Sequence, residues 1–149
     1  MKGKVLSINI SPRIGEKKKP VNFAILKKDF GIICDAHAGN TIRQVSLLPF
    51  ESFKKMKKNN GKTFAPGIFA ENITTVNQDF SKIKIGDVLK IGKNILLEVT
   101  EIGKTCHSPC QIFKDVGFCI MPKEGIFAIV LKGGKIRKGD NIEIINNKP

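Results

Sequence analysis

A chain of 149 residues, 41% of them hydrophobic, is the size of one domain and holds enough apolar material for one continuous core. Its net charge of +13, from 26 Lys plus Arg against 13 Asp plus Glu, turns attention to anionic partners such as phosphates, nucleic acid or an acidic protein. No apolar run approaches the roughly 20 residues that span a bilayer, and with no Trp or Tyr and ten Phe set mostly in apolar contexts, nucleic-acid recognition by base stacking is poorly supplied.

The N-terminal Met1-Lys2-Gly3-Lys4-Val5 passes straight into a strand pattern without a signal-peptide apolar block. A soluble, cytoplasmic protein with reduced cysteines is expected. Val5-Leu6-Ser7-Ile8-Asn9-Ile10 alternates and is rich in β-branched residues, which predicts a strand broken at Ser11-Pro12-Arg13. A basic loop, Lys17-Lys18-Lys19-Pro20, leads to a second strand over Val21 to Leu26, and Gly31-Ile32-Ile33 starts a third piece ending at Cys34-Asp35. One helix is predicted, from Pro49 to about Lys58. Pro49 suits its first turn, Phe50, Phe53 and Met56 or Lys57 recur at helical spacing as a core-facing stripe, and lysines crowd the end where the dipole favours cations.

Further strands are predicted over Gly67 to Thr75, Val88 to Ile91, Ile95 to Ile102, Gly125 to Leu131 and Asn141 to Ile145. Lys84-Ile85-Gly86-Asp87-Val88 and Arg137-Lys138-Gly139-Asp140-Asn141 each place a Gly-Asp pair between β-prone segments, as turn chemistry requires. Gly133-Gly134 is read as a hairpin turn. The predicted fold is mostly β, a closed or partly open, largely antiparallel barrel with a few short helices, forming a single domain over residues 1–149.

The charge is less specific than its size implies. The 23 Lys against 3 Arg, alongside 22 Ile and 11 Asn, are spread along the whole chain, as compositional drift of a genome would spread them. Chemistry is concentrated elsewhere. In Cys34-Asp35-Ala36-His37-Ala38-Gly39 and Arg43-Gln44, an acid, an imidazole and a guanidinium lie within nine residues. On a strand Asp35 and His37 would share a face, so Asp35 could orient the imidazole, and Arg43 is suited to gripping a phosphate or carboxylate. The plainer alternative is a polar loop with an incidental His and a solvated Arg. In Pro66-Gly67-Ile68-Phe69-Ala70-Glu71-Asn72-Ile73, two polar residues interrupt an apolar run. If buried, Glu71 needs a cation and Asn72 a hydrogen-bond partner such as a ligand backbone; otherwise both face water at a strand edge.

Three of the four cysteines fall within fourteen residues, as Cys106-His107-Ser108-Pro109-Cys110 and Cys119. Cys106 and Cys110 are spaced as zinc ligands can be, with His107 or Cys119 to complete a set, but a second ligand pair is missing. Cys119 sits in apolar Phe118-Cys119-Ile120-Met121, where a thiol usually packs as a small hydrophobe. Cys110 follows Pro109 at a helix-start pattern near Lys104, His107 and Lys114, which favours a thiolate able to bind a soft metal or receive sulfur.

Together, Gly31 to Gly39, Arg43-Gln44-Val45-Ser46-Leu47-Leu48, Pro66 to Ile73, Gly103-Lys104-Thr105-Cys106-His107-Ser108-Pro109-Cys110 and the closing Gly139-Asp140 resemble a stand-alone MOSC domain, the module named for the C-terminal part of molybdenum cofactor sulfurase. The match runs nearly end to end, with Cys34 standing where a glycine is common. The resemblance implies a β-barrel that handles the molybdenum cofactor (molybdopterin), either carrying sulfur to the metal or holding the cofactor as related amidoxime-reducing enzymes do. It implies Cys110 as the metal-linked or sulfur-carrying thiolate, Cys106 as a second thiol for relay, and Asp35, His37, Arg43, Glu71 and Asn72 as pocket residues. It also implies no pyridoxal phosphate in this chain, which lacks the desulfurase domain, and not a complete enzyme alone. The competing reading is a non-catalytic basic module docking onto a molybdoenzyme or a cofactor-biosynthesis protein, with no membrane and no nucleic acid as partner.

Overall fold

The computed structural model describes residues 3–54, 64–103 and 124–145. Among them run eleven strands: β1 (Gly3–Ile10), β2 (Lys19–Val21), β3 (Phe23–Lys27), β4 (Gly31–Ile32), β5 (Val45–Pro49), β6 (Ile73–Val76), β7 (Val88–Ile91), β8 (Ile95–Ile102), β9 (Ile126–Lys132), β10 (Gly134–Arg137) and β11 (Asn141–Ile145). Alternation decides the facing of most of them. In β7 and β8 every second residue is buried, so Leu89, Ile91, Ile95, Leu97 and Val99 enter one core while their neighbours stay at the surface.

Seven strands close into a barrel in the order β11-β7-β8-β9-β5-β6-β1, sealed by Gly3 against Ile142 and Lys4 against Asn141. An odd number of strands cannot alternate direction all the way round a closed ring. One neighbouring pair must be parallel, and it is β5–β6, with Leu47 opposite Ile73. A parallel pair needs a crossover rather than a tight turn, and the chain between Pro49 and Ile73 supplies it, beginning with a helical stretch over 50–54. Its described residues pack outside the barrel. Leu48 and Phe127 point away from the main core and meet Phe53, Phe64 and Phe69, whose rings stack edge-on, Phe53 to Phe69 at 5.3 Å and 86°. A three-stranded sheet, β10-β3-β4, closes one end, adding Ala24, Leu26, Ile32 and Ile136 to the barrel core.

The mostly β barrel is as expected, and no described helix is long and apolar enough to cross a membrane. Both Gly-Asp turns have the expected chemistry: Asp87 Oδ2 accepts from Lys84 N–H at 2.9 Å, Asp140 Oδ2 accepts from Arg137 N–H at 2.8 Å, and Gly86 and Gly139 have φ of 97° and 92°.

Three local expectations are corrected. Pro49 ends β5 instead of opening a helix, paired with Thr75, so the helical stretch starts one residue later, and residues 55–58 of the expected helix lie outside the described residues. The strand expected over Gly67 to Thr75 is confined to β6. Gly67 at φ 93° and Ala70 at φ 65° bend residues 67–72 into a turn closed by Ala70 N–H donating to Gly67 O at 3.0 Å. Gly133-Gly134 turns no hairpin, because β9 pairs with β5 and β8 whereas β10 pairs with β3. Gly133 is the point where the chain changes sheets, and a Cβ there would lie 2.3 Å from Leu26 O.

Candidate functional site

Residues 34–39 form turns, the loop alternative rather than a strand on which Asp35 and His37 would share a face, and Asp35 turns inward. Its carboxylate and the Lys18 ammonium are both fully shielded, with Nζ 2.7 Å from Oδ1. Lys18 Nζ also donates to Ser11 Oγ at 3.1 Å, Ser11 N–H donates to Oδ1 at 3.1 Å, and His37 N–H donates to Oδ2 at 3.1 Å. Burial by itself would raise the Asp35 pKa. The hydrogen bond and charge of Lys18 outweigh it, helped by Asn72 and by the Ser11 N–H, and hold this carboxyl below the usual carboxylate range.

Asn72 and Glu71 continue the cluster from the crossover side. Asn72 Oδ1 accepts from Ser46 N–H at 3.0 Å, its Nδ2 donates to Asn9 O at 3.2 Å, and Asn9 Nδ2 donates to Glu71 O at 3.1 Å and Thr74 Oγ1 at 3.1 Å. Glu71 Oε2 accepts from Gly67 N–H at 2.9 Å and from the Thr74 hydroxyl at 2.7 Å, whereas Oε1 is buried without a hydrogen-bond partner among the described residues. Burial pushes the Glu71 carboxyl above its usual range, against the hydrogen bonds of Gly67 and Thr74. One acid is thus held ionised and its neighbour is pushed toward neutrality. The cluster ties the end of β1 to the starts of β5 and β6.

Of the expected pocket residues, the structure brings Asp35, His37, Glu71 and Asn72 into this one network. His37 joins it through its backbone more closely than through its ring, whose Nδ1 is 3.9 Å from Asp35 Oδ2. Arg43 is engaged on the outer wall of β8 and β9, where its Nε and Nη2 meet the Glu101 carboxylate at 2.5 and 3.0 Å and its guanidinium lies 5.5 Å from the Phe127 ring centroid. Cys34 is exposed, and its φ of 75° is the reason a glycine suits this position. Cys106, Cys110 and Cys119 lie outside the described residues.

Lys18, Ser11, Asn9, Ser46 and Thr74 are cluster members that sequence reasoning passed over. Lys18 was hidden in a run of three lysines that reads as a solvated loop. Ser7 and Asn9 did carry a signal, as polar residues two apart inside an apolar strand, and both are buried with Ser7 Oγ donating to Asn9 Oδ1 at 2.7 Å.

At the opposite end of the barrel, where β5, β6 and β8 finish and β9 begins, lies a cleft of about 510 Å³ lined by Pro49, Glu51, Ser52, Asn77, Asp79, Phe80, Ile102, Glu124 and Ile126 among others. The chain bearing the three cysteines leaves from Gly103 and returns at Glu124 on the rim of this cleft, its neck pinched by Gly103 N–H donating to Gly125 O at 2.6 Å. The resemblance implies a phosphorylated pterin with its metal, and the described residues do not by themselves supply a site for its phosphate. The described cleft lining carries three carboxylates and neither Lys nor Arg, Arg43 is already clasped by Glu101, and the polar groups of Asp35 and Asn72 are taken up within the chain.

A family model, the MOSC domain, matches residues 35–143. A curated relative named "Reductase" from Gibberella moniliformis is 30% identical over 126 residues, covering 77% of this chain but 22% of its own length, so the chain spans about a fifth of that protein. Among solved structures, the YuaD protein of Bacillus subtilis superposes with a TM-score of 0.83 at 17% identity, over 99% of this chain and 98% of that one. YiiM of Geobacillus stearothermophilus gives 0.74 at 20% identity, over 97% of this chain and 75% of its own. These structures share the fold, and the family model, matching well over half of the sequence with the barrel and the Asp35 cluster inside or beside it, places the chain in the MOSC domain family.

Proposed function

We propose that this protein works in molybdenum-cofactor handling, binding the cofactor or carrying sulfur toward its metal through Cys110, with Cys106 as a second thiol. The MOSC family is associated with molybdenum cofactor sulfurase-type function, and the observation that carries the reading here is the pinned neck. The covalent chain ties both ends of the cysteine segment to residues that line the cleft, Ile102 before Gly103 at one end and Glu124 at the other. Asp35, Glu71 and Asn72 serve in this reading as the frame that holds the turn of His37 and the crossover, and Arg43 reaches a ligand only by exchanging Glu101 for it.

The test joins composition to mutation. Protein purified from its native host is expected to carry molybdenum or tungsten together with oxidisable pterin, measured by elemental analysis and fluorescence. Cys110→Ser is expected to lower metal retention or sulfur transfer by tenfold or more, on the order of a transition-metal ligand's worth, with an unchanged thermal midpoint. Stoichiometric zinc without pterin, or full retention in the serine variant, would remove the role given to Cys110.

A further inference from the structure

The sheet β10-β3-β4 has an outer face that no described residue covers. β3 sends Ala24 and Leu26 into the barrel and turns Phe23, Ile25 and Lys27 outward. Ile25 stands between Lys135 on β10 and Ile33, whose N–H donates to Ile25 O at 3.0 Å, and Phe23 stands opposite Arg137. The three apolar side chains are large and open to solvent, Phe23 at 51%, Ile25 at 41% and Ile33 at 44% exposure. Lys27, Lys135 and Arg137 rim them, all exposed and in no ion pair among the described residues, with Lys135 Nζ 4.2 Å above the Phe23 ring. These strands hold no Asp or Glu. The carboxylates of the adjoining turns face other work, Asp29 toward Gln44 and Asp140 toward the Arg137 backbone.

We propose that this face docks an acidic protein segment with an apolar centre, its hydrophobic side chains laid on Phe23, Ile25 and Ile33 and its carboxylates on Lys27, Lys135 and Arg137. Charge complementarity names the partner: three cations in no ion pair among the described residues, around an apolar middle, favour an apolar stripe flanked by Asp or Glu. A lipid surface is the poorer match, because these side chains stand flush on a sheet beneath lysines, whereas membrane insertion needs apolar groups that reach about 5–10 Å below the headgroups. Three strands are only about 10 Å wide, the width of one helix, so the contact is weak and salt-sensitive. It lies at the end of the barrel away from the cleft and does not depend on the cofactor reading.

The probe is a fluorescein-labelled synthetic helical peptide with Leu along one face and Glu on both flanks, titrated with the full chain by anisotropy. Binding is expected, weakened about tenfold or more by Lys135→Glu/Arg137→Glu and likewise by Phe23→Ser/Ile25→Thr, and weakened by adding salt. Lys82→Glu/Lys84→Glu, equal in net charge but elsewhere, is expected to stay within about twofold, and Cys110→Ser to bind as wild type. The substitutions at Phe23, Ile25, Lys82, Lys84, Lys135 and Arg137 change exposed residues, and circular dichroism checks the folding of every variant. No binding of the peptide, equal weakening by the Lys82/Lys84 control, or retention on phosphatidylglycerol vesicles in preference to the peptide would each overturn the proposal.

Discussion

Lys18→Met is expected to lower the unfolding free energy by about 3–5 kcal/mol, the cost of leaving a buried carboxylate without its counter-charge. Both partners of this pair are at 0% side-chain exposure, so solvent screening does not soften the loss. The second half of the experiment tells pair from packing. Lys18→Met/Asp35→Asn removes the stranded charge while leaving an oxygen to accept from Ser11 N–H, and it is expected to regain about 2 kcal/mol relative to the single variant. Equal stabilities of the single and double variants, read from urea unfolding, would mean that Asp35 is not ionised in the fold.

The same cluster predicts a pH dependence with two opposing parts. Asp35, held below its ordinary 3.8, contributes stability that is present above that value and lost as pH falls through its folded pKa. Glu71, pushed above its ordinary 4.5, contributes stability that is present below that value and lost as pH rises through its folded pKa. Glu71→Gln abolishes only the second part. Its stability relative to wild type is therefore expected to grow between about pH 4 and pH 7; a flat difference across that range would show that Glu71 ionises as it does in the unfolded chain.

Gly67→Ala is expected to cost about 3 kcal/mol or more, and Gly139→Ala about 1 kcal/mol. The two glycines have nearly the same φ, 93° and 92°, so the backbone penalty is common to both. They differ in space. A Cβ on Gly67 would sit 2.2 Å from Lys18 O, whereas one on Gly139 meets nothing within 4 Å. Neither backbone can yield easily at the first site, because Lys18 N–H donates to Gly67 O at 2.7 Å and Gly67 N–H donates to Glu71. Thermal unfolding of the two variants reads the difference directly, and comparable losses would show that the contact relaxes.

The barrel was legible where a strand has one face in the core, as in β7, β8 and β11, because burial then writes itself as alternation. β5 escaped that rule. Its first four residues are buried, Leu47 in the barrel and Leu48 in the phenylalanine cluster, so no polar residue marks a solvent side and its pattern resembles the approach to a helix. The turn at 67–72 was missed for a related reason, since Ile68, Phe69 and Ile73 look like one apolar run while Gly67 and Ala70 break it through positive φ. In the buried polar cluster, the motifs named Asp35, Glu71 and Asn72 but could not supply their company. Lys18, 17 residues from Asp35, and Asn9, 62 from Glu71, arrive by topology alone. Glu101 likewise reaches Arg43 across 58 residues, which is why an arginine suited to phosphate is found holding a carboxylate.

The seam that seals the barrel, Gly3 and Lys4 against Ile142 and Asn141, has a consequence for how the protein is made. Nearly the whole described chain must leave the ribosome before β11 exists, and until then β7 and the Gly3–Lys4 end of β1, whose far end β2 covers, each present an unpaired edge to the cell. So distant a closure slows folding through its entropy, and the nascent chain passes through a stage in which those edges can capture other strands. Lys4 and Lys90, lying along the two open edges, are charged residues of the kind that discourages such pairing until the last strand arrives.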